Sequence, residues 1–86
     1  MSIRDRILLH LLEHPVRSDA YAPDECTRRG VVQAVDASKA YAYTQISHLQ
    51  AEGLIDARKA RVRGRRNRTE VLMLTEKGAR RAGGLR

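Results

Sequence analysis

Seven cationic side chains stand in the stretch ARKARVRGRRNRTEV, residues 57–71, against a single acid, Glu70. They are Arg58, Lys59, Arg61, Arg63, Arg65, Arg66 and Arg68. A guanidinium is always charged and presents a planar fork of donors that matches phosphate and carboxylate oxygens. The chemistry of this stretch is therefore the holding of a polyanion, if something folded presents it. The alternatives are a floppy basic tail or a merely soluble surface. Charge across the chain is split in the same sense. Residues 1–53 hold six basic and seven acidic side chains, a balance of −1, and residues 54–86 hold eleven and three, a balance of +8. Such asymmetry points to nucleic acid or an anionic membrane surface. No apolar run approaches the ~20 residues of a membrane span, and MSIRDRILLHLLEHP, which begins with mixed charge and has no small-residue cleavage site, does not read as a secretory signal.

Other reactive side chains give little. His10 and His14 are spaced i, i+4, as a metal pair on a helix would be, but no Glu or Cys partner completes a set, and edge-of-core histidines are expected. Cys26 is the single cysteine; it can form no internal disulfide, fits a reducing cytoplasm, and lacks the neighbouring thiol of a metal sensor. Nothing has the pattern of a nucleophilic triad, a phosphate-binding glycine loop or paired catalytic carboxylates. The expectation is no enzyme, no cofactor and no metal.

The elements that must position the cations can be read from caps and periodicity. Ser2-x-x-Asp5 is a capping box before Ile3, Ile7, Leu8, Leu11 and Leu12, which predicts a helix that stops at His14 because Pro15 follows. Residues 15–26, with two prolines, predict a loop with a short extended piece before Thr27. Thr27 caps a short second helix facing inward through Val31, Ala34 and Val35. Ser38 caps a third, SKAYAYTQISHLQAEG, ending at Gly53, with Ala42, Ile46 and Leu49 as its apolar stripe. Then LIDARKARV and TEVLML flank RGRRNR and predict a hairpin over 54–74, so the cations ride on an anchored arm and not on a tail. Thr75 caps a short last helix, and Gly83-Gly84 ends regular structure. With 86 residues, no Phe, no Trp and three Tyr, this is one small domain, 1–82, with 83–86 as a tail or linker start. Its core must be aliphatic.

Thr27-x-x-Gly30-Val31, Ser38, Ile46, Leu49, Glu52-Gly53-Leu54-Ile55, the basic hairpin and Leu74-Thr75-Glu76-Lys77-Gly78 together resemble a winged helix-turn-helix domain. The flavour is that of the MarR-like modules of bacterial and archaeal regulators, and the match covers nearly the whole chain. The resemblance implies an α+β fold, double-stranded DNA as partner, a recognition helix over 38–52 and a wing over 58–68. Asp36 stands where that family often has a turn glycine, Ala37 and Ala42 where larger aliphatics are usual, and the third helix carries fewer arginines than is common.

With the apolar stripe inward, 100° steps put Ala40, Thr44, Ser47 and Ala51 outward on the third helix, Tyr43 and His48 at the edges and Tyr41 beside His48. Hydroxyls and methyls there suit base edges in a major groove. Lys39, at the helix N-terminus, suits a phosphate. Groove contacts are expected from Lys39, Tyr41, Tyr43, Thr44, Ser47 and His48. Wing contacts are expected from Arg58, Arg61, Arg63, Arg65, Arg66 and Arg68, with the tip entering a minor groove. Arg28, more than Arg29, is expected as a phosphate clamp, against ordinary solvent exposure. Protein–protein and RNA-binding modules stay open as rivals. The long dimerisation helices of MarR-type proteins are absent. Pairing through helix 1 or the last helix, giving a homodimer, and a covalently following domain are the two ways open to cover the remaining surface.

Overall fold

The computed structural model describes residues 2–16 and 21–86; Arg17–Ala20, in the middle of the expected 15–26 loop, lie outside the described residues. The chain order is α1 (Ile3–Glu13), a 3-10 turn (Asp24–Cys26), α2 (Arg28–Val35), α3 (Lys39–Ala51), β1 (Ile55–Ala60), β2 (Thr69–Leu74) and α4 (Glu76–Gly83). This is an α+β winged helix-turn-helix: three helices, a two-stranded antiparallel wing and a last helix packed on α1.

The four α-helices among the described residues start by the same device. Ser2, Thr27, Ser38 and Thr75 each accept, through the side-chain oxygen, the backbone N–H three residues on, at Asp5, Gly30, Tyr41 and Gly78. Each such cap contributes about 1 kcal/mol. Asp36 ends α2 in the left-handed region at φ 54°, the conformation a family glycine would supply. The end of α3 is closed by paired bonds, Gly53 N–H to the Gln50 carbonyl and Leu54 N–H to the Leu49 carbonyl, both 3.0 Å. Gly53 takes φ 76° in that motif.

The buried stripe of α3 is Ala42, Ile46 and Leu49, as the spacing predicts. It packs with Ile7, Leu8 and Leu11 of α1, Val31 and Val35 of α2, Ala82 of α4, and Leu54, Ile55, Val71 and Leu72 of the hairpin. Two expectations need correction. Ala34 is exposed; the flank of α2 that meets the core is filled instead by the partly buried Val32. The residues before Thr27 are not extended but form the 3-10 turn, because Thr27 bonds back to the Asp24 carbonyl through both its N–H (3.1 Å) and its hydroxyl (2.8 Å). Single-residue bridges tie this region to the wing on either side of the turn, Ala22 with Val62 and Thr27 with Val71. At the other end of the chain Leu85, in the stretch expected as a tail, is partly buried against the core.

Thr75, the cap of α4, explains the glycine three residues on. Thr75 donates its hydroxyl to the Gly53 carbonyl at 2.6 Å and its N–H to the Leu54 carbonyl at 3.1 Å, drawing α4 onto the backbone leaving α3. A Cβ on Gly78 would lie 1.9 Å from the Leu54 carbonyl oxygen. Gly78→Ala should therefore lower the melting temperature by roughly 10–20 °C. Gly83→Ala, where a Cβ meets nothing within 4 Å, should leave it unchanged or slightly higher. Equal melting temperatures for the two variants would show that the close approach is dispensable.

Candidate nucleic-acid interface

The outer face of α3 follows from its stripe. Lys39, Ala40, Tyr41, Thr44, Ser47, His48 and Ala51 are all exposed, and Tyr43 is half-buried. Thr44 donates its hydroxyl to the Ala40 carbonyl at 3.0 Å, so the methyl and the oxygen lone pairs are what it offers outward. Ser47 and His48 have exposed side chains one turn further on. Between α2 and α3 the surface falls into a cleft of about 370 Å³ lined by Arg29, Val32, Gln33, Lys39 and Tyr43.

Tyr43 has two cations beside its ring. The Lys39 ammonium lies 5.5 Å from its ring centroid and the Arg28 guanidinium 5.8 Å, both within cation–π range. Arg28 in turn bonds Glu70 on β2, Nε to Oε1 at 2.5 Å. Thus Lys39, Tyr43, Arg28 and Glu70 make an unbroken chain of contacts from the N-terminal turn of α3, across α2, to the root of the wing. Arg28, expected as a phosphate clamp, has its charge engaged by this chain. Arg29 is the exposed member of the pair and faces the cleft beside Lys39.

The wing carries its cations as the sequence predicts. Arg58 is exposed on β1, and Arg61, Arg63, Arg65, Arg66 and Arg68 are exposed along the loop 61–68, which turns through Gly64 at φ 84° and an Arg65 N–H to Val62 carbonyl bond of 3.0 Å. Among the described residues only Arg65 of these has an acidic partner: its Nε and Nη2 both donate to Asp24 Oδ1, at 3.3 and 3.0 Å. Glu70, the acid inside the basic stretch, is spent on Arg28. The remaining wing charges meet no acidic side chain among the described residues, and salt or a bound polyanion would relieve their mutual repulsion.

No family model matches the chain, and no curated protein matches it. A solved structure does. The crystal structure of a candidate DNA-binding protein from Ralstonia eutropha JMP134 aligns with a TM-score of 0.69, over 96% of this chain and 93% of that one, at 24% identity. The two share a fold.

The other reactive groups serve the scaffold. The His10 and His14 rings lie 4.5 Å apart and engage carbonyl oxygens, His10 Nε2 that of Glu25 and His14 Nδ1 that of His10, each at 2.8 Å. The His10 bond fastens α1 to the 3-10 turn, and the His14 bond closes the end of α1 on itself. Burial, with the Glu25 carboxylate adding to it, pushes the Cys26 thiol up to about 11. It is therefore a protonated thiol at neutral pH, able to donate to the His14 carbonyl. The Arg4 guanidinium, bonded to Glu52 at 2.7 Å, holds that carboxyl below its usual range and joins α1 to the end of α3. Among the described residues no group of three His, Cys, Asp or Glu side chains is placed to hold a metal, and no helix is long and apolar enough to cross a membrane.

Proposed function

We propose that this chain binds double-stranded DNA, with α3 in the major groove and the arginine loop 61–68 on the adjacent minor groove and phosphates. It would act as a transcriptional regulator of the MarR-like kind or as the DNA-binding module of one. A single observation carries the reading: the contact chain Lys39–Tyr43–Arg28–Glu70 couples the small-residue face of α3 to a wing whose cations, Arg65 apart, have no acidic partner among the described residues. The longest dimension, 34 Å, equals about one turn of B-form duplex, so one rigid body of this size reaches from a major groove to the minor groove beside it. Arg29 and Lys39, flanking the α2–α3 cleft, take the phosphate contact that Arg28 gives up to Glu70. A homodimer or a following domain would supply a second half-site.

The test is a titration with duplex DNA and with single-stranded RNA across a salt series. Six neutralised phosphates give a slope of about −5 in log K per log salt, and duplex should be preferred. A flat slope, or tighter binding to single-stranded RNA, would sink the reading. Capture of an acidic protein partner with no duplex affinity would favour the interaction-module rival.

A further inference from the structure

One aromatic side chain beside the wing has no part in this reading. Tyr21 is 56% exposed, and among the described residues only Tyr41 is a comparably open large apolar side chain. Its position is fixed by its neighbour. Ala22 donates its N–H to the Arg61 carbonyl at 2.8 Å and bridges to Val62, and both Ala22 and Val62 are buried to 1% exposure. The backbone next to Tyr21 is thereby pinned to the backbone at the start of the wing loop. Tyr21 and the loop residues 61–68, among them Arg63, Arg66 and Arg68, line a concavity of about 410 Å³.

A bare anion would use only the guanidinium groups of this concavity, and an acidic peptide likewise has no need of an aromatic wall. A nucleotide has both halves: a phosphate for arginine and, on the deoxyribose, an apolar C–H edge for a ring face. A base could also stack there, but in a duplex it would first have to leave its pair, which costs a few kcal/mol. Sugars, by contrast, already form the walls of the minor groove. We infer that Tyr21 and the wing concavity hold one nucleotide unit of the bound duplex, its sugar edge against the ring and its phosphate among the guanidinium groups. The inference rests on the duplex-binding reading above. The contact is uncharged at Tyr21, so it adds affinity without adding to the salt slope.

Tyr21→Ala should bind duplex about tenfold more weakly than the unsubstituted chain, with an unchanged salt slope and an unchanged melting temperature. Hydroxyl-radical footprinting should show one deoxyribose at the wing edge losing protection. Tyr21→Phe should bind within about twofold of the original, because the ring face is kept. Wild-type affinity in the Ala variant, an unaltered footprint, or a Phe variant as weak as the Ala variant would each overturn the inference while leaving duplex binding intact. Failure of the unsubstituted chain to bind duplex would bring down the functional reading and this inference together.

Discussion

Replacing Arg63, Arg66 and Arg68 together by Ala should flatten the salt dependence of duplex binding by about 2.7 in log K per log salt. At 0.1 M salt the triple variant should bind roughly 500-fold more weakly, and the two proteins should converge near 1 M, since each contact releases its counterions only when the phosphate is reached. The three side chains are exposed and have no acidic partner among the described residues, so their removal costs the fold little. Arg65 is left out of the set because Asp24 already offsets its charge; its guanidinium braces the wing against the 3-10 turn. Guanidinium–phosphate contacts position a protein on DNA without reading sequence, so a selection from random DNA should enrich the same motif with the variant as with the original. Quantitative binding at four or five salt concentrations decides the matter. A slope unmoved by three lost charges would place the wing away from the duplex.

What could be read from sequence, and what could not, divides by range. Caps, the α3 stripe and the turn at Asp36 depend on residues within four positions of each other, and the hairpin depends on two β-compatible runs either side of a turn-forming stretch. Their signals are local, and the structure places them where the spacing does. The exposed face of α3 was legible for the same reason: once Ala42, Ile46 and Leu49 are buried, 100° steps fix the opposite side. The pairs that tune the site are long-range. Arg28–Glu70 is 42 residues apart in sequence and Arg65–Asp24 is 41, and no periodicity couples positions so distant. Hence Arg28 reads as a clamp from its place in the first turn of α2, although Glu70 and Tyr43 engage it. The burial of Ala22 and Cys26 had no signal either, since their segment is aperiodic and is buried by docking on the wing and α1. Ala34 fails for another reason. An eight-residue helix has little more than two turns, so the side it buries is decided by its neighbours and not by its own pattern.

Thr44→Glu combined with Ser47→Glu should abolish duplex binding, at least 1,000-fold at 0.1 M salt, while leaving the helical circular dichroism intact. Both side chains are exposed on α3, and the one bond either makes, Thr44 to the Ala40 carbonyl, lies within its own helix. Glutamate has a higher helix propensity than serine or threonine, and losing a hydroxyl bond back to the preceding turn relieves a slight helix-bending contact. The fold should thus hold or gain, so that a loss of binding cannot be blamed on unfolding. Against DNA the same two carboxylates would face base-edge acceptors between two phosphate strands, where like-charge juxtaposition costs several kcal/mol. The Thr44→Gln, Ser47→Gln variant separates charge from bulk: it adds nearly the same volume without the repulsion and should retain measurable affinity. The wing remains whole in both variants, so the residual salt slope reports whether its arginines can hold a duplex without α3. If the double-Glu variant binds within tenfold of the original, the outer face of α3 does not enter a groove, and the polyanion is held by the wing and the Arg29–Lys39 cleft alone.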